Sequence, residues 1–490
     1  MKRLILFLNL LLIGAMVITA CGTPATPALT TEAPVATEAP PVATEAPPVA
    51  EEPTAVVEEP PTTGKVKVTI FVGLGTGTDP EQITAENALA EKFNSTHDNI
   101  EIEFLIEPYD TSREKLLAMI AGGTAPQVIG PMGVETTAQF LDSLEDLTPY
   151  IQKDNYDLTD FYGPAATLNT YEGKNVGLPL GLYPTFIFYN EGAFDAAGVD
   201  YPTHDYNDTT WTMDKLREVA MLTTLYTNGN NATSADFDPT SIAQYGLDNS
   251  WETSRGWASS WAPENMGRPT TADYKTAIVN DSDWVTALQW YSDAIWKDHF
   301  MPDAASLTAM DPNGDLFVFG TLAMWTSQTW YMGESMMDLA FKWDIAPVPV
   351  NSKGVRIAPI DADVYAIAKD AKNKDEAWEV VKWLLEPENN LELCKIYYCM
   401  PARKSTEAAY NTFLTEMYPG IDLSVIFNAP TYLDVPNHES WVPDFGQVND
   451  VLSQVQEKIW TADEEHNAQV LLDQATIDIQ KILDEYWANH

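Results

Sequence analysis

Aromatic rings beside carboxylates are the chemistry this sequence offers most often. Its 490 residues include 15 Trp, 21 Tyr and 72 Asp and Glu. A flat indole or phenol ring is a platform for the C–H face of a polyhydroxylated ring, and a few carboxylates or amides can hold its hydroxyls. Trp257 and Trp261 lie in the Trp-rich stretch 251–261 and are candidate platforms, as is Tyr183. The competing role for each aromatic residue is core packing, where most of them go. Among the acids, Glu135 follows a short apolar strand at 127–129, at the lip of a cleft in an α/β sheet. Asp361 and Asp363 precede the apolar strand 364–367, and Asp444 closely follows Trp441. In so acidic a chain each of these acids could equally be a solvated surface group.

Hydrolytic chemistry on a glycan would need two paired carboxylates, one with a raised pKa. The acids above could supply a pair, but no local motif singles one out. A secreted carbohydrate-active hydrolase is therefore an alternative, and a surface-adhesion lipoprotein is another. Gly73, Gly75 and Gly77 suggest a dinucleotide loop, but Thr78 stands where the third glycine of that motif belongs. Asp311–Asp315 resembles part of a calcium loop without its alternating ligands or closing Glu. The six His show no metal-ligand spacing, so neither a metal nor a cofactor is expected. A net charge of −45 leaves no excess of cations to neutralise phosphates, which argues against nucleic acid as a partner.

The N-terminus adds a location. Lys2 and Arg3 precede an uncharged apolar stretch from Leu4 to Ala20, the layout of a secretory signal at 1–20. Ile18-Thr19-Ala20-Cys21-Gly22 then resembles the bacterial lipobox. That resemblance implies cleavage before Cys21, lipidation of its thiol and anchoring on the outer face of the cytoplasmic membrane. Residues 21–64 are rich in Pro, Thr, Ala, Val and Glu, and Ala-Thr-Glu-Ala-Pro-Pro recurs at 36–41 and 43–48. Such a segment cannot bury enough apolar surface to fold, and its prolines favour an extended spacer reaching roughly 130 Å. The remaining cysteines, Cys394 and Cys399, suggest one short disulfide in an exported protein, or else two buried thiols.

These side chains need a scaffold. Lys65–Ile70 and Ile100–Phe104 alternate as strands, and Gln127–Ile129 is a short buried one. Between them, Thr84–Phe93 and Ser112–Ala121 carry helical spacing, the second stopped at Gly122-Gly123. This βαβαβ rhythm predicts a parallel α/β sheet. A second α/β stretch begins near Val176, with a strand at 187–189 and a helix over 212–225. A further helix covers 375–386, closed by Pro387. At the C-terminus, Leu471, Ala475, Ile479, Ile482, Leu483 and Tyr486 share one helical face. The length suits two or three domains.

Several local patterns, in this order and spacing, resemble one family. They include Ala121–Ile129 (with Gln127 in place of the family's Asp), Gly177-Leu178-Pro179, Phe188-Tyr189-Asn190 and Trp211-Thr212. Phe319-Gly320, Ala323-Met324, Pro347-Val348-Pro349, Asn373–Trp378 and Pro401–Lys404 continue the series. From about Lys65 to the end, the chain is similar to the extracellular solute-binding proteins of ABC importers, in the carbohydrate-binding class. The resemblance implies the two-lobe periplasmic-binding-protein-like fold (type II), one lobe from 65–178 plus 355–404 and the other from 179–354 plus 405–490. It also implies a monomer that captures a sugar or oligosaccharide in the interlobe cleft and delivers it to ABC permease subunits, without chemistry of its own. Trp330 and Trp441 match family positions that stack on sugar. Tyr183 falls where the chain enters the second lobe, Trp257 and Trp261 would line that lobe, and the Gly73–Asp79 loop would face the cleft.

Overall fold

Alternating burial along the first strand sets the main sheet. In a computed structural model of the protein, β1 spans Val66–Val72 with Val68, Ile70 and Val72 buried and Lys67 exposed. The structure describes residues 64–490 except 250–251, 262–266, 311–315, 334–335, 338, 435–440 and 463, and the side chains of 134, 135 and 164. The signal peptide, Cys21, the spacer up to 63 and the Asp311–Asp315 turn lie outside the described residues.

Helix α1, Pro80–Thr96, begins with Pro80 in its first turn and a capping box between Asp79 and Gln82. β2 (Ile100–Ile106), α2 (Tyr109–Ala121), β3 (Val128–Met132) and α3 (Val134–Phe140) follow. β1 pairs in parallel with β2 and with β3, Val66 facing Ile100 and Ile70 facing Val128. The expected βαβαβ unit is therefore present.

The next strands, β4 (Leu178–Pro184) and β5 (Phe186–Asn190), are buried throughout. After them come α4 (Met213–Thr223), α5 (Ser254–Ser259), α6 (Ser282–Trp296), β6 (Met324–Ser327), β7 (Trp343–Pro347) and β8 (Ile360–Ile367). The chain ends with α7 (Lys374–Leu384), α8 (Pro387–Tyr397), β9 (Met400–Pro401), α9 (Glu407–Met417), α10 (Phe445–Trp460) and α11 (Ala468–Asn489). The larger sheet has the order β9-β4-β8-β3-β1-β2. It is mixed where the opening rhythm predicts a parallel one, because β8 runs antiparallel to β3 and β4, and β9 antiparallel to β4. The smaller sheet, β6-β5-β7, is antiparallel throughout.

β4 begins at the expected change of lobe, yet it belongs to the larger sheet, with Leu178, Leu180 and Leu182 buried there. β5, two residues further on, belongs to the smaller one. The chain thus leaves the larger sheet at Thr185 and returns to it through Pro359, and the Thr185 N–H donates to the Pro359 carbonyl at 2.9 Å. α9 packs on α8 and β9, on the side of the larger sheet. Two hydrophobic cores result. Phe71, Val128, Leu180 and Ile367 belong to one, and Trp257, Trp284, Val448 and Leu472 to the other.

Pro387 does not only end a helix. It opens α8 at the first helical position, where its missing N–H costs nothing. At the far end of α8, Cys394 and Cys399 are both buried and free, with Sγ atoms 2.8 Å apart. The expected disulfide is not formed, and two buried thiols stand in its place. Burial raises the Cys394 pKa well above its ordinary value, which keeps the thiol protonated and unreactive. Among the described residues no helix is long and apolar enough to cross a membrane.

Candidate ligand cleft

The C-terminal ends of parallel strands leave backbone and loops facing one edge of the sheet, where ligands of α/β proteins collect. Here the loop after β1 (Leu74, Gly75, Thr76, Thr78, Asp79) and Gly133 after β3 reach that edge. Asp361 and Asp363 join them from β8, two residues apart and so on the same face of the strand. Tyr183, near the end of β4, completes the floor. Trp330, after β6, packs on Tyr183, and the rest of the lining includes Glu252, Thr253 and Arg255 at the start of α5, and Phe445 and Asn449 of α10. Together they enclose a cavity of about 470 Å³ between elements of the two sheets.

Asp363 is the best-held group of the floor. Its Oδ2 accepts hydrogen bonds from Thr76 Oγ1 and from the Tyr183 hydroxyl, each at 3.1 Å. Burial pushes its carboxyl up to about 6, against the lowering effect of those bonds. The loop presses so closely on it that a Cβ at Gly75 would come 2.8 Å from Asp363 Oδ1. Asp361 is more open. Its Oδ2 accepts from Gln328 Nε2 at 3.1 Å, and the same amide donates to Thr185 Oγ1 at 3.1 Å. Gln328 thus joins the end of β6 to both passages of the chain between the sheets.

The aromatic platform is a pair. The rings of Tyr183 and Trp330 are 5.2 Å apart at 54°. Tyr183 is buried beneath, while Trp330 is half-buried at the surface of the cavity. At one rim the Arg113 guanidinium lies over the Tyr109 ring at 4.7 Å and donates to the Tyr109 hydroxyl at 3.0 Å. At the other, Arg255 forms a buried ion pair with Asp434. Burial raises the Asp434 carboxyl to about 6, with the Arg255 charge opposing. Asp434 also accepts the Ile360 N–H at 2.9 Å, so it ties α5 to the start of β8.

Of the residues expected from sequence, Tyr183, Trp330, Asp361 and Asp363 converge here, with the Gly73–Asp79 loop. Glu135 lies in the first turn of α3, between cavity-lining Gly133 and Thr136, but its side chain is outside the described residues. Trp257 and Trp261 do not line the cleft, and the expectation for them is corrected. Trp257 is fully buried, stacks on Tyr291 at 4.3 Å and donates from Nε1 to the Asn249 carbonyl at 3.2 Å. Trp261 is buried in the same core near Trp290. Trp441 and Asp444 line a separate cavity of about 790 Å³ with Tyr171, Tyr274 and Trp487, and Phe445 borders both cavities. Trp441 packs there against Tyr171 at 4.9 Å. Thr76, Arg113, Glu252, Arg255 and Asn449 were not singled out by sequence. Only Thr76 carried a signal, as part of the loop after the first strand.

Two sheets joined by short passages, with an aromatic and carboxylate-lined cavity between their elements, define a two-lobe ligand-binding protein. Residues 77–391, well over half of the chain, match the model for bacterial extracellular solute-binding proteins. The chain belongs to that family. A putative binding protein of Brucella abortus (strain 2308) is 21% identical over 299 residues, which are 60% of this chain and 66% of that protein. The chain therefore spans just under two thirds of the length of this curated relative. Among solved structures, an ABC substrate-binding protein from Listeria monocytogenes in complex with cycloalternan is 22% identical, with a TM-score of 0.70 over 86% of this chain and 99% of that one. A cyclic alpha-maltosyl-1,6-maltose binding protein from Arthrobacter globiformis gives 21% and 0.67, over 86% and 100%. Maltose-bound MalE3 of T. maritima gives 22% and 0.63, over 86% and 99%. The two-lobe fold is shared throughout.

Proposed function

We propose that this protein is the lipid-anchored, extracytoplasmic receptor of an ABC importer, and that it captures a sugar or oligosaccharide in the interlobe cleft for delivery to the permease. The observation that carries the reading is the cleft itself: a half-buried Trp330 braced by Tyr183, lining one cavity with the Asp361 and Asp363 carboxylates. A platform and adjacent acceptors are what a polyhydroxylated ring needs. The sugars in the similar solved structures support the ligand class, and the Ile18–Gly22 pattern supports the anchor. The lobes would comprise 65–184 with 360–417, and 186–347 with the C-terminal helices. The protein acts by binding and closure, not by catalysis.

Tryptophan fluorescence and thermal shift, titrated with mono- and oligosaccharides, test this. A sugar at 100 times its dissociation constant stabilises the fold by ~2.7 kcal/mol. The expected result is a saturable shift with at least one sugar, lost in Trp330→Ala. A saturable response to a non-sugar solute alone would overturn the ligand class.

A further inference from the structure

The direction of hydrogen bonds around the cleft floor carries more than the identity of its residues. An ionised carboxylate only accepts, so the Thr76 and Tyr183 hydroxyls must both spend their protons on Asp363 Oδ2. The Thr136 hydroxyl likewise donates to the Leu74 carbonyl at 3.2 Å. Of the three, Thr76 is half-buried at the cavity, and what its hydroxyl can offer there is lone pairs, while Tyr183 and Thr136 are buried. The lining carboxylates Asp79, Glu252, Asp361 and Asp363 are acceptors too, against two guanidiniums. One of these, Arg255, already bridges Asp434, and the other, Arg113, donates to Tyr109 and to Thr136.

Building on the sugar-receptor reading, we infer that Asp363 is a positioning residue: by taking the protons of Thr76 and Tyr183 it makes the cleft floor an acceptor surface. The protein then selects glycans whose hydroxyl or amino groups donate, and rejects those carrying carboxylate, phosphate or sulfate. Asp363 is engaged by protein donors and acts on the cavity through half-buried Thr76, with buried Tyr183 held in the same set of bonds. The ionisable groups facing it are Asp361 and Tyr365 of β8, Tyr183 of β4 and Cys394 of α8. All are acids, so none of them offsets its charge.

Isothermal titration of the full chain at pH 7 with matched neutral, amino and acidic sugars tests this, using maltose, glucosamine, glucuronic acid and oligosaccharides containing them. Neutral or amino members are expected to bind at least ~10-fold more tightly than acidic counterparts. Asp363→Asn supplies an amide N–H₂ that returns a proton of Thr76 or Tyr183 to the cavity, so the ratio falls toward one. Lowering the pH from 7 to 5 protonates Asp363 and also Asp434, the partner of Arg255 at the rim, so the ratio falls further in the wild type than in Asp363→Asn, where only Asp434 titrates. A purely structural role would weaken every sugar alike and leave ratio and pH profile unchanged, and that result overturns the inference. Thr76→Val, at the cavity surface, repeats the test should Asp363→Asn not fold. A glucuronide bound more tightly than its neutral counterpart also overturns it while leaving the receptor reading intact. Binding of no sugar at all overturns both.

Discussion

Single residues divide by what surrounds them. Trp257 and Trp330 are the same side chain in opposite roles. Trp257→Ala removes a fully buried ring from the second core and is expected to cost ~3–5 kcal/mol of stability. Trp330→Ala, at a half-buried ring packed on Tyr183, is expected to cost clearly less stability while weakening sugar binding at least ~10-fold. Equal stability losses in the two variants would contradict this division. The sequence showed that aromatic residues cluster near 251–261, but an indole's type does not say which way it faces. Residues read from their place in the chain lie at the cavity instead. Tyr183, Asp361 and Asp363, and the loop that carries Thr76, sit where a loop or strand end must meet the sheet edge. Arg113, Glu252, Arg255 and Asn449 reach the cavity only through tertiary packing of α2, α5 and α10, which no local spacing encodes.

Elements are fastened to one another by a few titratable groups. Glu86 of α1 is fully buried and accepts the Tyr397 hydroxyl of α8 at 2.7 Å. Burial pushes its carboxyl to about 8 from an ordinary 4.5, so it stays protonated in the fold while the unfolded chain ionises. The unfolded state then binds fewer protons, and stability falls as pH rises from about 4.5 to about 8. Glu86→Gln is expected to melt higher than wild type at pH 7–8 and to flatten that profile, and parallel melting profiles would contradict it. His204 works in the other direction. Its Nε2 and Nδ1 each lie 3.1 Å from a carboxylate, Asp344 of β7 and Asp422 beyond α9. The hydrogen bond to Asp344 and both charges raise its pKa, with burial opposing. The stability it adds is complete below the ordinary pKa of ~6.5 and is lost as pH rises through the raised one. His204→Gln is therefore expected to lower the melting temperature at pH 5–6 and to match wild type at high pH. Calorimetry across that range would read a pH-independent loss as a packing role instead. Most such elements were visible in the hydrophobic period: β1 to β3, α4 and α11 lie within a few residues of their expected limits. The mixed sheet was not, because strand partners 170 or more residues apart leave no mark on a short window. Pro387 was read as a stop because a proline's place relative to a helix depends on which side the next turn forms.

At the scale of the molecule, the proposed tether and the proposed closure can be tested separately. Cys21→Ala is expected to abolish incorporation of a fatty-acid label without altering sugar affinity, checked by labelling and titration. Label retained in Cys21→Ala would contradict a lipid anchor at Cys21. The two lobes meet through short passages at Thr185 and Pro359, with Gln328 bonded to Thr185 and to Asp361 beside them. On the proposed reading, a ligand in the cavity would touch elements of both sheets and so favour their approach by hinge bending. Small-angle scattering of the protein with and without a saturating sugar tests that claim most directly. A fall in the radius of gyration on binding, absent in Trp330→Ala, is the predicted result. Saturable binding with an unchanged radius would contradict closure and favour a surface that captures glycans without enclosing them.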